Sequence, residues 1–190
     1  MHSRSGSSPP IDDRIVHASL TLINEHGLSG VTMSQIAEAA GVARQTLYNR
    51  YGDIESIVAA TIERHHSESI DRLETTIGIA EAPTDKLEQM VRHFAAMGAH
   101  SQHSLDLRGA LAEELRASLD AYQNVVEAHI RSIIEDGQET GAFRSDLSPE
   151  IDSELVRSLL EGVSEIARHS PDRAAEIATV GTRTIIAALT

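Results

Sequence analysis

The most constraining feature of the sequence is the segment 31–51, which carries the end signals of two short helices only a turn apart. Thr32 can accept a hydrogen bond at the start of a helix while Gln35, three residues later, reaches back to complete a capping box. Gly41 can adopt the left-handed conformation that ends such a helix after about two turns. A second short helix is predicted over residues 43–50. Two short helices joined in this way are typical of a helix-turn-helix.

The second predicted helix has one apolar and one polar side. Leu47 is its apolar member, and at about 100° per residue Gln45 and Asn49 project almost directly away from it. The flanks of the polar side carry Arg44, Thr46 and Tyr48. Arginine can form two bonds to guanine, and glutamine or asparagine can do the same with adenine, so this side suits the major groove of DNA. The alternative is a generic pair of short helices in an all-helical core.

Residues 11–60 resemble the tetracycline-repressor-like (TetR) transcriptional regulators, both in this helix-turn-helix and in the sequence Thr46-Leu47-Tyr48 followed by Tyr51. The resemblance implies an all-α fold of about nine helices. It places an N-terminal three-helix DNA-binding domain at 11–60 and a C-terminal helical effector-binding and dimerisation domain at 61–190. Matched residue by residue, it also implies a DNA surface made of Thr32, Ser34, Arg44, Gln45, Thr46, Tyr48, Asn49 and Arg50.

Two positions depart from the family pattern. Ile54 stands where these proteins usually have a phosphate-binding lysine, and Ala43 stands where a serine often opens the second helix. The resemblance therefore implies a lower affinity for phosphate than is usual in the family. An alternative follows from the same departure: a helical small-molecule- or partner-binding protein that has lost DNA binding.

Composition narrows the class of protein. The 190 residues include no cysteine and only five prolines, which excludes disulfides and thiolate chemistry and favours helices. We expect residues 1–10, rich in Ser, Gly and Pro, to form a disordered tail. Neither a secretory signal nor a long apolar run is found, so the expected location is cytoplasmic, with no membrane partner.

The net charge of −13 is unusual for a DNA-binding protein, which commonly carries a basic surface. The charge is unevenly distributed, however. Residues 1–64 hold five arginines against seven acids, so most of the negative charge lies in residues 65–190. Acidic residues outside the helix-turn-helix favour solubility and weaken non-specific binding to DNA, because they repel its phosphates. We therefore expect DNA binding that is sensitive to salt but not promiscuous.

The remainder of the chain is predicted to be helical. Asp53 can cap a helix that runs to about residue 79, and Thr84 begins the next. Two more helices are predicted over residues 105–119 and 122–139, the second ended by Gly141. Two final helices have clear starts, because Ser148-Pro149 and Ser170-Pro171 each place a capping residue before a proline.

The final two helices carry apolar stripes that suit a dimer interface. The first stripe consists of Ile151, Leu155, Leu159, Val163 and Ile166, broadened by Val156 and Leu160. The second consists of Ile177, Gly181, Thr184, Ile185 and Ala188. The resemblance implies that this pair packs against its copy in a homodimer, whereas periodicity alone fits an intramolecular core equally well. A two-fold protein also matches a palindromic site in DNA.

Scattered apolar and polar residues of the middle helices are candidates for a small-molecule site. They are Met90, His93, Phe94, Met97, His100 and Tyr122, although ordinary core packing explains the Met and Phe positions equally well. His100, His103 and Asp106 raise the alternative of a zinc site, but their spacing drifts around a helix, and we predict no metal and no cofactor. No catalytic motif is found, so we do not expect an enzyme.

These observations converge on one functional hypothesis. The sequence predicts a ligand-responsive transcriptional regulator, a homodimeric repressor that binds a palindromic operator in double-stranded DNA. A small-molecule effector, whose identity the sequence does not reveal, would release it by favouring a dimer that no longer matches the spacing of the half-sites.

Overall fold

The computed structural model describes residues 9–100 and 113–190, which form eight α-helices and no β-strand. The helices are α1 (Ile11–His26), α2 (Met33–Ala39), α3 (Arg44–Arg50), α4 (Ile54–Ile79), α5 (Pro83–His100), α6 (Glu113–Thr140), α7 (Pro149–His169) and α8 (Ala174–Leu189). The predicted all-α class is confirmed. No helix in the described ranges is both long and apolar enough to span a membrane.

The described residues divide into two compact units, each with its own apolar core. The first unit comprises residues 9–65 and 113–115 of the described chain, and apolar side chains from α1 to α4 meet there in a single cluster. Its fully buried members are Ile15, Ile23, Ile36, Leu47 and Ile57. Burial of Leu47 orients α3, because the opposite side of so short a helix must then face outward. The domain boundaries expected at residues 10 and 60 stay predictions.

The second unit comprises residues 66–100 and 116–190 of the described chain, and its helices approach one another closely. A Cβ atom at Gly98 of α5 would lie 2.0 Å from the backbone oxygen of Ser164 on α7, so only glycine fits this crossing. A Cβ atom at Gly181 of α8 would lie 2.8 Å from Val163 Cγ2 on α7. The largest fully buried core side chains are Leu73, Leu87, Met90, Ile130, Ile134, Leu160 and Ile185.

Helix ends in the second unit follow the sequence signals in part. Gly141 ends α6 with a φ of 74°, and the Ser148 hydroxyl accepts a hydrogen bond from the backbone N–H of Ile151 at the start of α7, as predicted. The predicted break between residues 119 and 122 is wrong. Helix α6 is continuous through it, because no glycine or proline interrupts the helical pattern there. Residues 105–112 of the predicted preceding helix lie outside the described ranges.

The predicted cap of the last helix is also wrong. Ser170 makes no side-chain capping hydrogen bond, and Pro171–Arg173 form a 3₁₀ turn before α8 begins at Ala174. In this 3₁₀ turn the backbone N–H of Arg173 donates to Ser170 O at 3.0 Å, so this N–H group needs no side-chain cap. Helix α8 then returns along α7, with Leu189 O accepting a hydrogen bond from Arg144 N, in the loop before α7.

Candidate nucleic-acid interface and ligand cavity

The start of α2 is held by the predicted capping box. Gln35 N donates to the Thr32 hydroxyl at 3.3 Å, and Thr32 N donates to Gln35 Oε1 at 2.9 Å. Both side chains are exposed, so these bonds cover backbone N–H groups that would otherwise depend on water. The first helix of the motif therefore begins at a position set by two side chains.

The turn between α2 and α3 is a Schellman motif. Gly41 has a φ of 62°, its N–H donates to Glu38 O at 3.0 Å, and Val42 N donates to Ala37 O at 2.9 Å. The left-handed conformation predicted for Gly41 is confirmed. An L-residue is strained at this φ, whereas glycine adopts it readily. The conformation of Gly41 in turn sets the direction in which α3 leaves the turn.

Arg14 of α1 holds the same turn from the other side. Its Nη2 donates to Gly41 O at 2.7 Å and also to Ala40 O. A Cβ atom at Gly41 would lie 2.8 Å from this nitrogen. Sequence reasoning counted Arg14 only as a charge. The free carbonyls at the end of a helix do require donors, but no local signal shows that one comes from 27 residues away.

All eight residues predicted to contact DNA lie on α2, on α3 or at the cap of α2. Six are exposed: Thr32, Arg44, Gln45, Tyr48, Asn49 and Arg50. Ser34 and Thr46 are half-buried. Gln45 Nε2 donates to Asn49 Oδ1 at 2.9 Å, so these two amides form a pair on the outer side of α3. We call the exposed side chains of α3 the base-reading surface; their contact with DNA stays a prediction.

The two arginines of α3 differ in their surroundings. Arg50 Nη1 lies 2.7 Å and 2.5 Å from the two carboxylate oxygens of Asp12 on α1, whereas no acid within the described ranges pairs with Arg44. Asp12 therefore neutralises much of the charge of Arg50, through a contact that sequence reasoning missed. Burial, and then the Asp12 charge, raise the pKa of the nearby Tyr51 hydroxyl. That hydroxyl stays protonated near neutral pH.

Ile54, which stands where the family usually has a lysine, is part of the apolar packing of the first unit. Ile54, the first residue of α4, is half-buried and packs against the core of the first unit. One residue earlier, Asp53 accepts a hydrogen bond from Ser56 N at 2.8 Å and so caps α4, as predicted. Side-chain and backbone hydrogen bonds from Ser56 lower the pKa of this carboxyl group.

The second unit contains a cavity of about 180 Å³, which we call the ligand cavity. Its apolar walls come from Phe94, Met97, Leu119 and Val126. Its polar residues are His66, Tyr122, Gln123, Arg157, Glu161, Ser164 and Glu165. The cavity thus lies among side chains of α4, α5, α6 and α7, and it combines flat apolar surface with a few polar groups, as small-molecule sites do.

The predicted ligand residues fall into two groups. Phe94, Met97 and Tyr122 line the ligand cavity. Met90, His93 and His100 do not. Met90 is fully buried in the core, and His100 is exposed, with its Nδ1 2.6 Å from the backbone oxygen of its own preceding turn. The hydrophobic pattern of the sequence shows which residues belong to the apolar sides of α5 and α6. Which of them reach the cavity depends on how the helices pack.

A polar cluster adjoins the cavity. The buried Ser69 hydroxyl lies 2.9 Å from His93 Nε2 and 3.4 Å from the Tyr122 hydroxyl. The His66 ring stacks on the Tyr122 ring, with centroids 4.5 Å apart and an interplanar angle of 21°. Burial raises the pKa of Tyr122, so its hydroxyl remains a hydrogen-bond donor near neutral pH.

A chain of ion pairs, absent from the sequence predictions, crosses from α6 to α7 at the cavity. Arg157 Nη1 donates to Glu161 Oε1 at 2.6 Å, and Arg157 Nε lies 3.7 Å from Glu127 Oε2. Gln123 Nε2 donates to the same Glu161 oxygen at 3.1 Å. The charge of Arg157 is therefore divided between two carboxylates. Arg157 and Glu161 are four residues apart on α7, but Gln123 and Glu127 lie on α6, and the charges in the sequence gave no signal of this contact between helices.

A groove of about 350 Å³ runs between α7 and α8, and we call it the α7–α8 groove. Large exposed apolar side chains line it, among them Leu159, Ile166 and Val180. Ile151 and Leu155 of α7 are also exposed, at 61% and 58%. Several large apolar side chains exposed on one helix are typical of a surface that another protein covers.

The zinc alternative gains no support from the described residues. Within the described ranges no three His, Asp or Glu side chains are placed to hold a metal ion. His103 and Asp106, two of the three residues that raised the question, lie outside these ranges.

Two family models match the chain, one over each unit. The model described as "Bacterial regulatory proteins, tetR family" matches residues 15–61, and the model described as "Tetracyclin repressor-like, C-terminal domain" matches residues 80–168. The first match contains α2 and α3 with the turn between them. The second contains α5 and α7, which provide part of the ligand cavity.

Curated relatives and solved structures agree with these matches. The chain is 24% identical over 164 residues to the HTH-type transcriptional repressor DhaR of Mycobacterium sp. (strain GP1), covering 80% of each protein. It is 26% identical over 157 residues to the fatty acid metabolism regulator protein of Bacillus subtilis, covering 78% of this chain and 77% of that one. The structure of the B. subtilis regulator FadR in complex with stearoyl-CoA superposes with a TM-score of 0.79 at 18% identity, covering 94% of this chain and 99% of that one. The chain belongs to the TetR family of bacterial transcriptional regulators.

Proposed function

We propose that this chain is a homodimeric repressor that binds a palindromic operator through α3 and is released by a small molecule bound in the ligand cavity. The observation that supports the proposal most is the base-reading surface. Arg44, Gln45, Tyr48 and Asn49 are exposed on one short helix whose position is set by a buried leucine and a Schellman turn. Such a helix presents hydrogen-bonding groups to base edges without first having to fold.

Dimerisation is supported by the apolar face of α7. Ile151, Leu155, Leu159 and Ile166 are all more than 40% exposed, while Val156 and Leu160 of the same helix are buried in the core. Leaving this face in water is unfavourable at about 25 cal/mol per Å² of apolar area. A second copy of the same face covers it symmetrically, and the resulting two-fold axis matches a palindromic site.

Helix α7 also links the ligand cavity to the α7–α8 groove. Arg157, Glu161 and Ser164 face the cavity, whereas Leu159 and Ile166 lie in the groove. An effector that shifts α7 therefore changes the dimer interface directly, and with it the separation of the two α3 helices. A coupling free energy of about 1–3 kcal/mol corresponds to roughly 5- to 150-fold weaker operator binding.

The names of the relatives support repression and ligand response. DhaR of Mycobacterium and KstR2 of Rhodococcus jostii are named as repressors, and the B. subtilis regulator has been solved with stearoyl-CoA. At 23–26% identity they support the mode of action, not the ligand of this chain.

Footprinting of purified protein on its own upstream intergenic DNA, at two salt concentrations, tests the proposal. We expect a protected palindrome whose protection weakens at the higher salt, because phosphate contacts release counterions. Absence of a footprint there, followed by failure of site selection on genomic DNA, would contradict it.

A second candidate function is a helical small-molecule- or partner-binding protein without DNA binding. Two observations favour it: Asp12 neutralises Arg50, and Ile54, where the family usually has a lysine, supplies no charge and packs against the core. Replacing Arg44 and Gln45 together separates the two functions. Loss of operator binding in the double variant would favour the repressor. A chain that binds no operator before the replacement, with expression of the target gene unchanged after it, would favour the second function.

A further inference from the structure

The size of the ligand cavity limits what it can hold. Its volume is about 180 Å³, and an apolar cavity of about 150 Å³ holds benzene. An aromatic ring with one or two small substituents fits this space. An acyl-CoA thioester such as the stearoyl-CoA bound by the B. subtilis FadR is far larger than this volume, so most of it would lie outside the cavity.

The walls of the cavity favour a flat ring. The stacked rings of His66 and Tyr122 form one side, and the nearly buried Phe94 forms another. Met97 adds a polarisable sulfur atom, which makes favourable contacts with aromatic rings. Aromatic and thioether surfaces gain more from contact with a planar aromatic ligand than from a flexible chain that must be ordered.

The charges around the cavity disfavour an anion. Among the lining side chains that the structure describes, Arg157 is the only arginine or lysine, and its guanidinium is already shared by Glu161 and Glu127. Glu165 also lines the cavity and pairs with Arg168, its neighbour on α7. A ligand carboxylate would have to displace a carboxylate from Arg157 while lying near two others, whereas a neutral or cationic group meets no such competition.

We propose that the ligand cavity takes a compact aromatic ligand without negative charge and rejects carboxylates and acyl-CoA thioesters. This inference rests on the proposed role of the cavity as the effector site. It assigns the carboxylates of Glu161 and Glu127 a role in specificity, since they occupy the cation that would otherwise attract an anionic ligand.

Isothermal titration calorimetry of the full-length protein with matched ring compounds tests the inference. The probes are benzyl alcohol, benzylamine and benzoate, which share one ring and differ in charge, together with stearoyl-CoA. All titrations are run at the same pH and ionic strength, so that the probes differ only in their own charge. We expect benzyl alcohol and benzylamine to bind in competition with each other, benzoate to bind at least tenfold more weakly, and stearoyl-CoA not to bind.

A charge substitution locates this discrimination in the cavity. Glu161→Gln removes one carboxylate from Arg157, so benzoate should gain about tenfold in affinity while benzyl alcohol changes little. Glu135→Gln makes the same change at an exposed position of α6 outside the cavity, and it should alter neither ligand. An equal gain in the two variants would assign the effect to net charge and overturn the inference.

The remaining outcomes are also decisive. Benzoate binding as tightly as benzyl alcohol, binding of stearoyl-CoA, or no binding of either uncharged or cationic probe at millimolar concentration would overturn the inference. Footprinting separates this failure from that of the proposed function. If benzoate or stearoyl-CoA releases a protected operator, only the ligand class is wrong, whereas absence of any footprint contradicts the repressor and leaves the calorimetry to decide the ligand class.

Discussion

The helix-turn-helix and the α7–α8 pair are both built from two helices, but different interactions hold them. Helices α2 and α3 are short, and their ends are held by hydrogen bonds: the Thr32–Gln35 capping box, the Schellman turn at Gly41 and the two bonds from Arg14. Helices α7 and α8 are longer and pack along their length, with Gly181 against Val163.

This difference separates two ways of orienting a surface. A seven-residue helix buries a single side chain, Leu47, so its outer side is determined once its ends are held. Helix α7 spans 21 residues and is apolar on two sides, one buried in the core and one exposed along the α7–α8 groove. End signals therefore position the base-reading surface, while packing decides which side of α7 meets a partner.

The largest effect should come from charging the exposed side of α7. In the double variant Leu155→Glu with Ile166→Glu, carboxylates replace side chains that are 58% and 57% exposed in the single chain, so the fold should survive and the dimer should not. Operator affinity should fall by roughly 100-fold or more, because the second half-site is no longer tethered. Light scattering after size-exclusion chromatography, together with footprinting, measures both effects. Ile79→Glu, at an 80% exposed apolar residue outside the groove, is the control, and a double variant that remains dimeric would refute the interface.

The next largest effect should come from Arg44→Ala on the base-reading surface. Loss of a two-bond contact to guanine should cost about 1–3 kcal/mol of operator binding and relax the preference at one base pair. The unfolding temperature should not change, since Arg44 is exposed and pairs with no acid in the described ranges. Competition binding with operators altered at single positions measures the preference. Arg92→Ala, at an exposed arginine of α5 that pairs with Glu88 of the same helix, controls for the change in net charge. A uniform loss on every DNA sequence would instead indicate a phosphate contact.

A smaller effect, on stability, should follow from Gly41→Ala in the turn. Alanine at a φ of 62° costs about 1–2 kcal/mol, and its Cβ would press on Arg14 Nη2. Urea unfolding should therefore show a lower midpoint. Gly52→Ala provides the comparison, because a Cβ there meets nothing within 4 Å. Equal midpoints for the two variants would show that the Schellman turn does not hold the motif together.

The smallest effect should come from Asp12→Asn, which releases Arg50. Both side chains are about half exposed, so the ion pair contributes about 1 kcal/mol or less to stability. Operator affinity should rise a few-fold at low salt as Arg50 becomes available to phosphate, and the gain should shrink as salt increases. Fluorescence anisotropy with labelled operator at several salt concentrations measures this change. Asp85→Asn, an exposed acid of α5, controls for net charge, and an equal gain there would remove Asp12 from the mechanism.

The accuracy of the sequence predictions follows the range of the interactions concerned. The cap at Thr32, the cap at Asp53 and the conformation of Gly41 depend on residues within a few positions of one another, and all three are confirmed. Two expectations that rested on local signals were nevertheless wrong, the break between residues 119 and 122 and the cap at Ser170. Ser170 was expected to cap a helix, but the backbone closed a 3₁₀ turn instead, which is a choice between two turns of similar energy.

The candidate sites were less accessible to prediction. Phe94, Met97 and Tyr122 line the ligand cavity, but Met90, on the same apolar stripe, is fully buried in the core. The apolar stripe of α5 faces both the core and the cavity, so its periodicity cannot show which residues belong to each. Arg14, Asp12 and Arg157 were missed because each acts on a residue that is distant in sequence or lies on another helix.

The sequence by itself determined the helical class, the position of the helix-turn-helix and the identity of its outward side chains, because caps, glycine and a single buried leucine act within one or two turns of chain. Only the tertiary structure decided that Asp12 restrains Arg50, that Arg157 is shared by two carboxylates, and that one side of α7 remains exposed. Those outcomes depend on which helices pack together. Packing sums many contacts of similar energy between distant residues, and no single residue type signals the result.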